Sequence, residues 1–419
     1  MKLGVTARML LGLGLGISIG LVLAANDAET ARSVADVVEP FGKLWLNALQ
    51  MTVVPLVLAL VIVGVNVASD AAHSGRVARR AITTFLLLLS GGAAIAALLA
   101  PPILALFTPD PAIAEALRAG DTQPATGGSG WAAALTAMIP SNVIAAAAAN
   151  AMLPLVVFAM FFGFAVTRLD EAQRSLIVDF FKAISEAMIV IVRWVLVVGP
   201  IGVFALVLAL SARAGMSVLG ALGLYIGLEC LLYILVTLLM LPVALVFARE
   251  APARFIAALT PVQAVAASTQ SSLATLPAML ASSKDRLGYP REVSSLVLPM
   301  AVSLFRLTSP VQYIATACFI AWALGVQLSP GTLAAGAILA VIVSLGSVGL
   351  PGQAIFIATN LPVTQAMGLP VGPLGVLMAL DAIPDVLATV GNVTGDMTAN
   401  AVVVRKGQED AAGAGTAAP

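Results

Sequence analysis

The sequence predicts an all-α protein that crosses a membrane many times, and three observations predict it. Of its 419 residues, 60% are hydrophobic and only 10% charged, whereas a soluble domain is roughly 45–50% apolar and about 25% charged. Mean hydropathy is +1.04, and apolar stretches near the roughly 20 residues that span a bilayer recur along nearly the whole chain. Basic residues, finally, collect in every second connection.

Taken in order, the expected spans are residues 8–25, 44–68, 81–107, 131–167, 177–212 and 218–248. A less regular part follows, with helices over Val297–Val326 and Val371–Val404 and interrupted apolar segments at 258–290 and 333–369. The first run could be read as a cleaved leader ending at Leu23-Ala24-Ala25. The hydrophobic segments that follow at once argue for a membrane span instead. Lys2 and Arg8, then Arg76, Arg79 and Arg80, then Arg168, Arg174 and Lys182 lie on one side of the spans. Arg249 and Arg254, then Lys284, Arg286 and Arg291, and finally Arg405 and Lys406 fall on that same side. The opposite loops are poor in basic residues, with Arg32, Arg118 and Arg213 in three of them. The positive-inside rule therefore places both termini in the cytoplasm of a cell inner (plasma) membrane protein. Cys230 and Cys318 lie in apolar runs without metal spacing, and His73 sits in a charged loop. No paired nucleophile and base, and no His-Glu metal motif, supports an enzyme. The net charge of zero, carried almost entirely by the loops, says nothing about partners, and no nucleic-acid partner is expected.

The interrupted segments carry the first functional signal. One contains Ala267-Ser268-Thr269-Gln270-Ser271-Ser272-Leu273-Ala274-Thr275-Leu276-Pro277, the other Ser344-Leu345-Gly346-Ser347-Val348-Gly349-Leu350-Pro351-Gly352. Irregular backbone at membrane depth is tolerated only inside protein or along a watery cavity. Two such breaks point to a substrate site made of broken or re-entrant helices; the alternative is a helix-packing face of small residues.

The last span carries the second signal. Asp381, Asp385, Thr389, Asn392 and Asp396 are spaced 4, 4, 3 and 4 apart, which at about 100° per residue confines them to a stripe roughly 80° wide. Intramembrane carboxylates normally mark an ion or substrate path. Asp385 and Asp396 suit an ammonium or a metal cation, and Asp381 equally suits a tie between helices. Arg306 lies far from either end of its span and is too costly there without a buried carboxylate. The last-span aspartates are the expected partners, Glu229 a weaker one, and snorkelling to an interface is the alternative.

These residues resemble the dicarboxylate/amino acid:cation symporter family, bacterial and archaeal relatives of glutamate transporters, over almost the entire chain. The resemblance is carried by Val54-Pro55-Leu56-Val57, by Pro200-Ile201-Gly202-Val203-Phe204-Ala205-Leu206, by both interrupted segments, and most strongly by Asn392-Val393-Thr394-Gly395-Asp396. It implies eight transmembrane helices plus two re-entrant hairpins, a homotrimer and an elevator mechanism. Residues 1–80 would hold scaffold helices 1–2, 81–107 transport-domain helix 3, 108–130 an extracellular loop, and 131–213 scaffold helices 4–5. Residues 218–404 would form the transport domain and 405–419 a disordered cytoplasmic tail. It further implies substrate contacts from Ser271 and Ser272 on the first hairpin and from Ser347, Val348, Gly349 and Leu350 on the second. Ser309, Thr389 and Asn392 would line the pocket, Asp385 would take an amino group, and Asn392 with Asp396 would form a residual cation site.

Departures from the family pattern redirect the expectation. Where the family has Asn-Met-Asp-Gly-Thr, this chain has Phe305-Arg306-Leu307-Thr308-Ser309, and Phe85, Leu88 and Leu89 replace hydroxyl residues. Phe and Leu offer no oxygen to a hard cation. Gln270 and Leu273 replace an arginine and a serine of the first hairpin, and Ala388 replaces the arginine that grips an acidic side chain. The expectation is a symporter importing a small amino acid or dicarboxylate, a neutral amino acid favoured. Coupling to sodium would be weakened or replaced by the fixed charge of Arg306, leaving protons, fewer sodium ions or exchange. No cofactor beyond a coupling sodium ion or proton is expected; partners would be the substrate, the lipid bilayer and two further copies of the chain. The alternatives are a C4-dicarboxylate or acidic amino acid carrier with Arg306 as carboxylate binder, and, in another class, a channel or a ligand sensor.

Overall fold

The computed structural model describes residues 5–73, 75–114, 139–346 and 352–415. Every regular element among them is a helix. Five helices are long and apolar enough to cross a membrane, or up to seven if each of two sharply bent pairs counts as one span.

The first group of helices packs through small residues. Helix α1 (Val5–Asn26) lies along α8 (Gly199–Ala214), and α2 (Ala28–Gln50) packs on the other side of α8. On α1, a Cβ added at Gly12 would sit 2.4 Å from the Pro200 carbonyl oxygen, and one at Gly20 2.7 Å from the Ser211 Cβ. Backbones approach this closely only where a side chain is missing. Helix α2 starts at Asp27, whose carboxylate accepts from the Glu29 amide at 3.0 Å and satisfies an otherwise orphaned donor. Together with α3 (Val53–His73) it makes one long apolar path over Ala28–Asp70. The expected span 44–68 thus begins well inside a helix. Its polar first half is helical because Ala31, Ala35, Glu39, Gly42 and Trp45–Leu46 repeat at helical spacing and bury one face. Buried Glu39 is held by Arg213 at 2.6 Å and by Lys43 at 3.0 Å.

Two expected spans prove to be broken. Within 131–167 the described part holds α5 (Val143–Ala148) and α6 (Met152–Val166). They are separated by Asn150 at a positive φ of 52°, a conformation asparagine tolerates better than most residues. Within 177–212, α7 (Glu171–Val197) meets α8 at an angle of 61°. Pro200, in the first turn of α8, cannot donate to the preceding turn, and Met9 and Trp45 fill the space that side chains at Gly199 and Gly202 would need.

The second group contains α4 (Arg76–Leu104), the 31-residue α9 (Ser217–Phe247) and everything after it. Helices α10 (Pro252–Thr269) and α11 (Ser272–Asp285) pack against each other as a hairpin. The turn is made by Gln270 in the left-handed region and by Ser271, whose hydroxyl accepts from the Ala274 amide at 3.2 Å. Helices α12 (Arg291–Leu304) and α13 (Ser309–Leu324) are divided by an extended Phe305. Helices α14 (Pro330–Gly346) and α15 (Gly352–Ala366) also pack together. The turn between them, with the expected contacts Ser347, Val348, Gly349 and Leu350, lies outside the described residues.

The last span is the chief correction. It is two helices, α16 (Leu374–Leu380) and α17 (Asp385–Gly415), bent by 76°. Asp381 therefore lies in the bend and does not share a helical stripe with Asp385, Thr389, Asn392 and Asp396. Pro384 is the physical cause, since proline removes a donor and clashes with the preceding turn. Helix α17 also runs through to Gly415, past the point where a disordered tail is expected at 405, because Gln408, Glu409, Ala411 and Ala412 are good helix formers. It packs on α9, α10, α12 and α4, so its polar residues reach the middle of the second group.

Candidate functional site

The site forms where two broken helices face each other. In the gap between α12 and α13, the Phe305 amide closes the last turn of α12 on the Ala301 carbonyl at 2.7 Å, and the Ser309 amide turns back to the Arg306 carbonyl at 3.0 Å. The gap is pinned to α17 by Asn392. Its Oδ1 accepts from the Thr308 amide at 3.0 Å and from the Thr308 hydroxyl at 3.0 Å. Both partners are buried, so these bonds carry the full penalty of any loss.

Pinning Thr308 directs its neighbour Arg306 into a small polar cavity. Arg306, Ser309 and Gln312 form one wall and Asp381, Asp385 and Ala388 the opposite one. Tyr233, Tyr313 and Thr359 complete the lining. Asp381 is buried and accepts a hydrogen bond from the Gln312 amide. Asp385 stands in the first turn of α17, where the positive end of the helix dipole favours a carboxylate. Ala388 leaves its part of the wall without a polar group.

Sequence-expected residues divide into three sets. Arg306, Ser309 and Asp385 are brought together around the cavity. Thr389 and Asn392 are buried behind it, the Thr389 hydroxyl donating to the Asp385 carbonyl at 2.9 Å. Ser271 and Ser272 are half-buried at the first hairpin turn and do not line this cavity. Sequence reasoning missed Tyr233, Gln312, Tyr313 and Thr359. Gln312 was the findable one, a polar residue one turn after Thr308 in an otherwise apolar helix.

Arg306 makes no contact ion pair among the described residues. It lines the same cavity as Asp381 and Asp385, while Glu229 accepts from the Thr316 hydroxyl at 3.2 Å.

Residues 5–406 match a single known family, the sodium:dicarboxylate symporters. The chain belongs to that family. It is therefore a multi-pass membrane transporter, not an enzyme. The proton/glutamate-aspartate symporter of Escherichia coli is 26% identical over 409 residues, covering 96% of this chain and 93% of the relative. The proton/sodium-glutamate symport protein of Bacillus subtilis is also 26% identical, over 97% of this chain and 93% of its own. Human neutral amino acid transporter A is 31% identical over 248 residues, which is 58% of this chain and 46% of that protein.

Within this family frame the cation region is unusual. The Phe305 ring stacks on Phe85 with centroids 5.0 Å apart and planes 12° apart. Leu89, Leu307 and Val297 close around them as a buried apolar cluster. This plug presses on α17, for a Cβ at Gly395 would lie 3.0 Å from Phe305 and 3.1 Å from Leu307. This hydrocarbon wall offers a hard cation no oxygen donor. No group of three His, Cys, Asp or Glu residues able to hold a metal occurs among the described residues. Asn392 has already committed its oxygen to Thr308, and both carboxylate oxygens of fully buried Asp396 lack a hydrogen-bond partner. Of the residual cation site, Asp396 alone retains open oxygens.

Proposed function

We propose that this chain imports a small neutral amino acid across the plasma membrane, with Arg306 supplying part of the positive charge that a sodium ion supplies elsewhere in the family. The observation that carries the reading is the placement of Arg306 in the cavity with Asp385, beside an apolar plug at Phe85, Phe305 and Leu307. A zwitterion brings an ammonium for Asp385 and a carboxylate for Ser309 and the gap backbone, while Ala388 gives an acidic side chain nothing to grip. The names of the relatives support both amino acids as cargo and sodium or protons as coupling ions.

In this reading both termini are cytoplasmic, eight spans and two hairpins are present, and three copies assemble. The group α1–α3 with α5–α8 is the scaffold. The group of α4 and α9–α17 carries the cavity across as an elevator, with Ser271 and Ser272 of the first hairpin contacting the substrate. A second reading has its own support: Arg306 lines the cavity, so its guanidinium is available to the distal carboxylate of an acidic amino acid or a C4-dicarboxylate.

Ligand-induced thermal stabilisation of the purified protein separates them, because a ligand bound only to the folded state raises the unfolding midpoint. Serine, alanine, aspartate, glutamate, cystine, succinate and fumarate are tested in sodium buffer and in sodium-free choline buffer. Serine or alanine stabilising without sodium is the expected result. Stabilisation by aspartate or a dicarboxylate, and only with sodium, would overturn both the neutral cargo and the role given to Arg306.

A further inference from the structure

A second ionisable group, outside the cavity wall, is buried without an ionic partner. Glu229 lies midway along α9 and is wholly inaccessible. One carboxylate oxygen accepts from the Thr316 hydroxyl on α13 at 3.2 Å, and Thr316 in turn shares a 3.3 Å hydrogen bond with the Tyr225 hydroxyl. The other oxygen, Oε2, has no hydrogen-bond partner. One helical turn further along the same face stands Tyr233, equally buried, its hydroxyl also unpartnered, and its ring in the wall of the substrate cavity. Tyr225, Glu229 and Tyr233, spaced 4 and 4 apart, thus form a buried ladder that ends at the site.

Nothing in the reading so far uses this ladder. A carboxylate in a membrane interior costs several kcal/mol unless it is paired or neutralised. The charged or titratable groups facing Glu229 are Tyr225 and Tyr233 on its own helix and Asp381 and Asp385 at the α16–α17 bend. Helix α13 contributes the neutral hydroxyl of Thr316. Helices α4, α8 and α10, also packed on α9, keep their ionisable residues at their ends. No cation faces Glu229, two acids do, and a hydroxyl pair holds one oxygen while the other stays open. That is a site shaped for a neutral carboxylic acid.

We infer that Glu229 is the proton-binding site of transport, loaded and unloaded through the substrate cavity by way of Tyr233. The inference rests on the transport reading above and adds to it the coupling ion and its carrier. A proton from cavity water is relayed by the Tyr233 hydroxyl, which accepts one proton as it donates its own to Oε2 and gives the neutral acid; the reverse relay removes it from the same oxygen when the cavity opens to the other side. At each transfer an O–H bond breaks on the donor as one forms on the acceptor, so the net change is one proton moved from water to Oε2. With the acid neutral, the assembly crosses the membrane with one negative charge fewer in its core. Coupling by a proton at Glu229 also fits a cation region filled by Phe85 and Phe305.

The test uses the full-length protein in liposomes, with L-alanine as probe, and compares it with Glu229→Gln, which mimics the protonated acid, and Glu229→Asp. Alanine counterflow measures exchange, and accumulation driven by an acidic exterior measures proton coupling. Glu229→Gln is expected to keep counterflow and to lose acid-driven accumulation down to the equilibrium level, while Glu229→Asp recovers part of it. In parallel, the infrared difference between acidic and alkaline buffer should show a carboxylic acid C=O band that is absent in Glu229→Gln. Acid-driven accumulation that survives in Glu229→Gln, or an unchanged infrared band, overturns the proposal. So does loss of counterflow in a folded Glu229→Gln, which would make Glu229 part of the substrate path. If the unmodified protein shows no alanine counterflow, the neutral-cargo reading fails, and the infrared band still decides the protonation of Glu229.

Discussion

Arg306→Met is the substitution on which the transport reading turns. It removes the only basic side chain among the described residues lining the cavity and keeps a side chain long enough to fill the space. Arg306 shares the cavity with Asp381 and Asp385 and makes no contact ion pair with either. Unit charges about 6–8 Å apart exchange roughly 2–3 kcal/mol at an effective dielectric near 20. At 1.4 kcal/mol per factor of ten, losing one such interaction weakens sodium-free binding about 30- to 100-fold. A ligand at about 100 times its Kd stabilises the folded protein by about 2.7 kcal/mol, and the same concentration would give Arg306→Met only about 0.4–0.9 kcal/mol. The assay is the midpoint shift with alanine or serine in choline buffer, repeated with added sodium. Arg306→Met should lose most of its shift in choline and regain part of it with sodium or at lower pH, where a mobile cation or proton takes over the missing charge. Arg306→Lys, which keeps charge but not the planar fork, should fall between. An Arg306→Met protein that binds in choline as tightly as the parent would refute the idea that this guanidinium stands in for an ion.

Two further outcomes follow from the packing around the site. Asn392→Ala leaves the buried Thr308 amide without its acceptor and the Thr308 hydroxyl with only its 3.3 Å bond to the Ala388 carbonyl, so the melting midpoint should drop by an amount corresponding to about 1–3 kcal/mol, and substrate-induced stabilisation should weaken because the gap that presents Arg306 loses its anchor. Gly202→Ala places a Cβ 2.2 Å from the Trp45 ring; overpacking of about 1–3 kcal/mol is expected, read as a lower melting midpoint with ligand affinity unchanged, since this contact lies between α2 and α8, outside the residues lining the cavity.

Particular residues show how much of this was legible beforehand. The break near Ser271 announces itself as hydroxyl and proline residues inside an apolar run, because a lipid-facing helix tolerates none of them cheaply; the break at Phe305 did not, since Val297–Val326 was expected as one helix. Asp385 and Arg306 stand out for the same reason. Asp381 misled, since its spacing from Asp385 matches a continuous helix and only the bend before Pro384 separates the two. Glu229 entered only as a weaker candidate partner for Arg306, whereas its hydrogen-bond partner is Thr316, 87 positions away in sequence.

The sequence by itself determined the membrane class, the approximate spans, the segments that could not be plain helices and the charged groups that had to be excused. These properties are sums of local transfer free energies, and each residue contributes wherever it ends up. Only the tertiary structure decided the pairings. It put Phe305 on Phe85, committed Asn392 to Thr308, set Arg306 in one cavity with Asp381 and Asp385 and left Asp396 and Glu229 with open oxygens. Which groups meet depends on how helices distant in the chain cross and bend, and that is fixed by close packing at glycines and by breaks at prolines, which no local property of a single segment records.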